Sequence, residues 1–222
     1  MDDERRLNAL ERVYALYDGY LRGKRIACRR HCRPCCTTRV TVTTLEARAI
    51  LRALAPGERT LLEDRVLGAA ALPRRKPSIT LNGLAELWAA GLEEPSPAEE
   101  PPPEACPLLA DDLCSIYALR PFHCRCLVSR RVCAADGAAE LEEEVLAVNT
   151  VFLQVIEHLD PGGASGNLLD VLAALLAAGG EASPAAGTAG LVPNRPLRRL
   201  LLPAEHRAAV EPLLAALRRI RI

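Results

Sequence analysis

The chain has 222 residues, of which 50% are hydrophobic and 25% charged, and its 28 basic and 28 acidic residues cancel. This composition is typical of globular proteins with a sizeable core, and it excludes a fibrous or disordered chain. A net charge of zero gives no indication of nucleic-acid binding. The N-terminal stretch is charged rather than apolar, and the most apolar run, 168–178, is shorter than the roughly 20 residues of a membrane span, so we expect a cytoplasmic protein.

Helical periodicity accounts for most of the chain, and we expect a mainly α fold with at most a short strand or hairpin, near Val40. A capping box formed by Thr43 and Glu46 predicts the start of the second helix. The Pro161-Gly-Gly stop predicts that the two helices on either side of it form a helical hairpin. The predicted helices cover residues 3–21, 44–55, 58–72, 140–159, 168–178 and 203–219.

We predict two parts in the chain. Residues 1–160 form a cysteine-cluster domain, which includes the N-terminal helix and an exposed loop rich in proline and glutamate at 93–105. Residues 161–222 form a helical extension packed on that domain, with a flexible linker rich in small residues at 179–196.

All nine cysteines fall into two groups. In a reducing compartment, such a density is better explained by metal binding or redox chemistry than by disulfides. Thiolates are strong ligands for zinc and for iron–sulfur clusters, and ligands two or three residues apart can turn toward one ion. The neighbours Cys35 and Cys36 cannot easily point the same way, so they serve two metals, bridge them, or divide between ligand and support. The groups are Cys28, Cys32, Cys35 and Cys36, and then Cys106, Cys114, Cys124, Cys126 and Cys133.

These cysteines and their flanking residues resemble the YkgJ-like cysteine-cluster family, described as zinc- or iron-chelating domains. The matching elements are the dense first group, Cys106-Pro-Leu, Cys114-Ser-Ile-Tyr, Arg120-Pro and Cys124-Arg. The likeness covers residues 28–133, with one extra residue between Cys28 and Cys32 and with Cys126 as an additional cysteine. It implies a loop-rich, metal-bound cysteine centre surrounded by helices. The implied metal ligands are Cys28, Cys32, Cys35, Cys36, Cys106, Cys114, Cys124 and Cys133.

Basic residues surround both groups. Seven lie between Leu21 and Thr44 and four arginines lie in 120–133, with no acidic residue in either stretch. We expect these cations to lower the pKa values of the thiols and to stabilise a negatively charged cluster. A basic patch for phosphate or RNA is the alternative, which we rank lower because aromatic residues for base stacking are scarce.

Other residues near the cysteines have simpler explanations than ligation. His31 and His123 could replace a sulfur on zinc, but a surface or supporting role is favoured for both. Ile116 and Tyr117 are expected to pack beneath the cluster, and Trp88 is expected in the core.

Three functions remain open at this level. The cluster could hold a structural metal, with zinc or iron as the cofactor, or it could serve redox or electron-transfer chemistry through an iron–sulfur centre. By resemblance alone, a metal-dependent protein-modifying enzyme is a third reading, since some proteins with this cluster are linked to lysine methylation of flagellin. The sequence contains no glycine-rich cofactor fingerprint and no evident nucleophile–base pair, so enzymatic activity stays uncertain. Metal ions are the expected partners, a protein partner is left open, and neither membrane nor nucleic acid is expected.

Overall fold

The structure, a computed structural model, describes residues 3–95, 100–133, 139–180, 188 and 190–220. It is mainly α, as predicted. No helix within these ranges is both long and apolar enough to cross a membrane. The described α-helices are α1 (Asp3–Leu21), α2 (Thr44–Ala53), α3 (Pro56–Gly68), α4 (Leu81–Ala89), α5 (Phe122–Cys126), α6 (Glu143–Leu159), α7 (Leu168–Ala177) and α8 (Arg207–Arg218). The strands are β1 (Thr41–Thr43), β2 (Leu109–Ala110), β3 (Leu113–Cys114), β4 (Ala164–Asn167) and β5 (Leu191–Pro193).

The helices with clear sequence signals are present. The α1 helix has its predicted bounds, and the predicted capping box begins α2. The Thr43 hydroxyl accepts a hydrogen bond from the Glu46 N–H at 3.2 Å, and the Glu46 carboxylate accepts one from the Thr43 N–H at 2.9 Å. The α3 helix starts two residues earlier than predicted, at Pro56, because proline suits the first helical turn, where its missing N–H costs nothing.

The α4 helix was not predicted, and the expectation for its tryptophan is wrong. The hydroxyl of Thr80 caps α4 by accepting a hydrogen bond from the Gly83 N–H at 3.2 Å. The helix buries Asn82 and Ala85 in its first turns, whereas Trp88, in its last turn, is 53% exposed. The described residues that follow the helix, 90–95, are exposed as well, so this stretch does not cover the indole ring.

The structure contains a three-stranded antiparallel sheet, which is more β structure than the short strand or hairpin that we expected. Strand β4 lies at its centre, between β1 and β5. Within β4, Gly166 pairs with both Val42 and Leu191, and a Cβ atom at this position would overlap the Leu191 side chain. Strand β5 lies inside the predicted linker 179–196, of which residues 181–187 and 189 are outside the described part of the chain.

The predicted helical hairpin is also wrong. After Pro161-Gly-Gly the chain enters β4 rather than a second antiparallel helix. As a result, α6 packs against α1 and α4, while α7 packs against α2 and α3. The segment predicted as an extension thus shares a sheet and a core with the first 160 residues.

Two hydrophobic clusters fill the interior, and α5 joins them. The first cluster contains an aromatic trio, in which the Phe122 ring centroid lies 4.6 Å from that of Tyr17 and 5.7 Å from that of Phe152. The second cluster contains Ile116 and has Cys106, Cys114 and Cys124 packed against it. Because Phe122 and Cys124 belong to the same short helix, burial of the ring in one cluster positions the thiol at the other.

Candidate metal centre

A cavity of about 100 Å³ lies beside the second hydrophobic cluster, and seven of the nine cysteines line it. We call it the cysteine cavity. Both cysteine groups of the sequence contribute to it. The lining cysteines are Cys28, Cys32, Cys35, Cys36, Cys106, Cys114 and Cys124.

The first group lies on an irregular segment that follows α1 and is held by backbone hydrogen bonds. The Ala27 N–H donates to the Ser129 carbonyl at 2.8 Å, which fastens the start of this segment to the second cysteine region. A turn then closes through the Cys36 N–H and the Arg33 carbonyl at 2.9 Å. His31 has a φ of +65°, the left-handed conformation that lets the chain reverse within this short stretch.

The two cysteine segments are joined directly. Thr37 and Ala105 form an isolated antiparallel bridge, and the Cys106 N–H donates to the Cys36 carbonyl at 3.0 Å. This pairing brings Cys36 and Cys106 to the same side of the cavity despite their distance in sequence.

The β2–β3 hairpin places Cys114. In this hairpin, Cys114 pairs with Leu109 of the neighbouring strand. Asp111 and Asp112 form the turn between the strands, with φ values of +49° and +60°. Two successive positive φ values are typical of the tight turn that joins antiparallel strands, and aspartate tolerates them. Asp112 also forms an ion pair with Arg33 at 3.0 Å, which ties the hairpin to the first segment.

A buried carboxylate anchors the helix that carries Cys124. The Phe122 N–H, in the first turn of α5, donates to Oε1 of Glu46 at 2.8 Å. The hydroxyl of Tyr14 donates to the same oxygen at 2.7 Å. Glu46 therefore links α1, α2 and α5, a role that its capping-box signature did not reveal.

Burial, rather than the surrounding cations, dominates the pKa values of most of these thiols. Burial raises the pKa of Cys106, of Cys114 and, most strongly, of Cys124. Arg120 and Arg65 act in the opposite direction on the pKa of Cys114, but they do not outweigh its burial. The expected effect of nearby cations is therefore present at Cys114, but burial outweighs it, and the pKa values of all three thiols are raised.

Cys35 and Cys36 form an asymmetric pair. The interaction between the two thiols lowers the pKa of Cys36 and, together with burial, raises that of Cys35. The two adjacent thiols are thereby inequivalent.

The thiols of the two cysteine groups influence one another's pKa values. Beyond the effect of burial, the pKa of Cys28 is raised by the thiols of Cys32, Cys35 and Cys133. The thiols that disfavour charge on Cys36 are Cys124, Cys106 and Cys114. Cys35 links the two groups, since it also contributes to the raised pKa of Cys124.

The thiols share a cavity without converging on one point. Among the described residues, no three histidine, cysteine, aspartate or glutamate side chains are close enough together to hold a metal ion. The chemistry of the donors nevertheless fits zinc or iron, because both metals are held by sets of thiolates that close around them. Ligation would require the sulfurs to move together.

The remaining candidate residues lie away from the cavity lining. Cys133 does not line the cavity but lies near enough to Cys28 to affect its pKa. Cys126 is 6% exposed in the first hydrophobic cluster, and its Sγ donates to the His123 carbonyl at 3.3 Å. His31 is exposed and does not line the cavity. His123 points elsewhere, since its Nδ1 accepts the Thr41 N–H at 3.2 Å.

Arginines complete the surroundings. Arg29, Arg120 and Arg125 line the cavity, and the Arg120 guanidinium lies over the ring of Tyr117, 4.2 Å from its centroid. Ile116 is buried beneath the cavity as expected.

The sequence contains no indication of Arg65, which extends from α3 and donates a hydrogen bond to the Leu108 carbonyl at 3.3 Å. No local motif marks it, because its role depends on how α3 packs.

Comparison with known proteins identified no relative of the chain. No family model, no curated protein and no solved structure matches the chain.

Proposed function

We propose that the protein binds metal through its cysteines, holding zinc or an iron–sulfur centre in the cysteine cavity. The observation that carries this proposal is the meeting of two distant segments, which together supply seven cysteines to one small cavity. Cysteines that serve only as small core residues occur singly and fill space among apolar side chains, as Cys126 does here.

In its most specific form, the proposal is that eight cysteines form two neighbouring metal sites, each with four thiolate ligands. Structural zinc sites are tetrahedral and often use four cysteines, so two sites account for all eight ligands predicted from the sequence. We assign the adjacent Cys35 and Cys36 to different sites, because neighbouring residues do not readily point their side chains the same way. One site comprises Cys28, Cys32, Cys35 and Cys133, and the other comprises Cys36, Cys106, Cys114 and Cys124.

The arginines in the cavity wall support the same proposal. A zinc ion with four thiolates keeps a net charge of about −2, and placing two such sites side by side is unfavourable without cations. Arg29, Arg120 and Arg125 line the cavity and supply positive charge there. Arg125 also has a partner within the chain, since it forms an ion pair with Asp18 at 3.2 Å.

A structural role for the metal fits the local chain. Residues 22–40 contain no helix and, apart from the bridge at Thr37, no β pairing. A structural zinc site contributes on the order of 10 kcal/mol to the folding of small metal domains, enough to fix such loops. An iron–sulfur centre held by the same thiolates would instead add redox chemistry.

Metal analysis of protein purified without oxygen tests the proposal. We expect either a colourless protein with two zinc ions per chain or a coloured protein with iron and acid-labile sulfide. The first result assigns a structural metal and the second a redox centre. Purified protein that binds neither zinc nor iron with sub-micromolar affinity, while its thiols are reduced, would overturn the proposal.

A further inference from the structure

The cysteines that line the cysteine cavity differ in their contact with solvent. In the stretch 28–35, which we call the outer segment, Cys35 is exposed and Cys28 and Cys32 are half-buried. The residues between these cysteines are exposed as well, namely Arg29, Arg30, His31, Arg33 and Pro34. Small solutes therefore reach the outer segment while the chain stays folded.

The backbone of the outer segment is fixed at its ends and loosely held between them. Long-range backbone hydrogen bonds lie just beyond the ends, at Ala27 and at Cys36. Between these points, the backbone N–H to carbonyl bonds among the described residues are local, as in the 3.1 Å bond from the Cys32 N–H to the carbonyl three residues before it. The Cys35 Sγ lies 4.0 Å from the Leu127 carbonyl, which is long for a hydrogen bond. The segment can therefore open locally while both ends stay in place.

The other four cysteines of the cavity, which we call the inner thiols, lie on a backbone that is better fixed. Cys114 belongs to β3 and Cys124 to α5, and the Cys106 N–H bonds to the Cys36 carbonyl. Cys106, Cys114 and Cys124 also pack against the second hydrophobic cluster. Leu108 belongs to that cluster, is 1% exposed, and accepts a hydrogen bond from α3 through its carbonyl. Moving these three sulfurs away from a metal would disturb a packed core.

We propose that the two metal sites differ in function, and that the outer one exchanges its zinc with thiol ligands from solution while the inner one retains its zinc. This inference rests on the proposed function and on the division into two sites. The outer site is the one with Cys28, Cys32, Cys35 and Cys133. Cys133 fits this assignment because it lies in a stretch without helix or strand, 127–133, and the two residues before it are exposed.

The exchange is a ligand substitution in which no atom changes its oxidation state. An incoming thiol loses its proton, and its sulfur forms a bond to zinc as the bond between zinc and the Cys35 sulfur breaks. The released Cys35 thiolate then takes up a proton. Repetition at the remaining ligands transfers the ion to the carrier. Cys35 leaves first because its side chain is the exposed one, and a thiol-bearing carrier suits the step because thiolates are strong ligands for zinc.

Release of zinc to a soluble dithiol tests the proposal. The full chain, loaded with two zinc ions, is mixed with an excess of 2,3-dimercaptopropanesulfonate, and native mass spectrometry counts the ions that remain with time. We expect a one-zinc species to accumulate, because the first ion leaves about tenfold or more faster than the second. Loss of both ions together, without a one-zinc species, would overturn the proposal.

Alkylation identifies the thiols that have lost their metal. Samples in which the one-zinc species dominates are freed of the dithiol and treated with iodoacetamide, and the modified peptides are identified. We expect modification of Cys28, Cys32 and Cys35 and protection of the inner thiols. Cys126 is the internal control, because it is buried in the first hydrophobic cluster and stays unmodified while the chain is folded. Modification of the inner thiols first, or of both sets equally, would show that the assignment is wrong.

A pair of variants separates the two release phases. Cys32→Ser removes a ligand of the outer site, and Cys114→Ser removes one of the inner site. We expect the ion left in Cys32→Ser to be released at the slow rate and the ion left in Cys114→Ser at the fast rate. Equal rates in the two variants would contradict the proposal. If either variant does not fold, the alkylation pattern of the unaltered protein decides.

Metal analysis of the starting protein separates this inference from the proposed function. Two zinc ions that leave in a single phase would contradict exchange at the outer site and leave metal binding intact. A chain that holds an iron–sulfur centre and no zinc would have the same meaning. A chain that binds neither zinc nor iron would overturn both.

Discussion

The side chain of Glu46 joins three helices near the site. It is 3% exposed, it caps α2, and it accepts hydrogen bonds from Tyr14 in α1 and from the first N–H of α5. A buried N–H without a partner costs about 1–3 kcal/mol, and a lost cap costs about 1 kcal/mol. Glu46 thus contributes to the stability of the fold and to the position of Cys124 at once.

Replacing Glu46 should be costly. We expect Glu46→Ala to lower the free energy of unfolding by about 2–4 kcal/mol, since it removes the cap and leaves the Phe122 N–H unpaired. Glu58→Ala is the matched control, because Glu58 caps α3 through the Ala55 N–H at 3.0 Å but at an exposed position. Urea unfolding of both variants measures the difference. A loss at Glu58 as large as at Glu46 would show that capping alone accounts for the effect.

Single cysteine variants test the division into two sites. We expect Cys35→Ser and Cys124→Ser each to reduce the metal content from two ions to one, since each removes a ligand from a different set. Cys126→Ser is the control, because its thiol lies in the first hydrophobic cluster and bonds to the His123 carbonyl. Metal analysis of the three purified variants gives the answer. Complete loss of metal in both ligand variants would indicate one shared cluster.

Glu157 should make stability depend on pH. Burial raises its pKa above the ordinary value of 4.5, so the folded chain binds more protons here than the unfolded chain. The stability that it contributes is fully present below 4.5 and is lost as the pH rises through the pKa of the folded state. We expect Glu157→Gln to remove this decline. Urea unfolding of both proteins at pH of about 4 and about 7 measures how much the free energy of unfolding changes with pH in each. The same change in both proteins would contradict this role of Glu157.

At the scale of elements, the long helices could be predicted and the short ones could not. The α1 and α2 helices follow from apolar spacing and a capping box, which are local signals. The α5 helix has five residues, too few for periodicity, and it forms because Phe122 is buried and Glu46 receives its first N–H. Strand β4, Ala-Ser-Gly-Asn, lacks residues that favour strands and is extended because both neighbours pair with it.

The same limit applies to the candidate site. The spacing of the cysteines and the family resemblance gave the eight candidate ligands, and seven of them line one cavity. The backbone pairing of Cys36 with Cys106 depends on long-range contacts, which leave no local trace in the sequence. Spacing could not show which sulfurs influence one another either, since Cys35 affects the pKa of Cys28 in its own group and of Cys124 in the other.

The central strand should tolerate no side chain at Gly166. A Cβ atom there would overlap Leu191 and approach the Gly190 carbonyl oxygen to 3.1 Å. We expect Gly166→Ala to destabilise the protein by about 1–3 kcal/mol through overpacking. Gly57→Ala is the control, because a Cβ there meets nothing within 4 Å and alanine favours the α3 helix. Thermal unfolding of both variants measures this, and equal melting temperatures would contradict it.

At the scale of the whole molecule, the two hydrophobic clusters differ in what holds them. The first is built by α1, α6 and α8 around the aromatic trio of Tyr17, Phe122 and Phe152. Burial of one such ring is worth roughly 1.5–3 kcal/mol, and none of these rings belongs to a proposed metal ligand. The second cluster borders the cysteine cavity, where three of its partly buried members are proposed ligands.

Metal removal should therefore loosen the molecule unevenly. With a strong chelator, we expect amide hydrogen exchange to rise in residues 22–40 and 106–120, whose loops the metal would hold in place. Protection in α1 and α6 should remain, because their contacts lie within the first hydrophobic cluster. Mass spectrometry resolves these segments, with the same chelator saturated by zinc as the control. A uniform rise along the chain would show that the metal supports the whole fold, and an unchanged pattern would contradict a structural role for the metal.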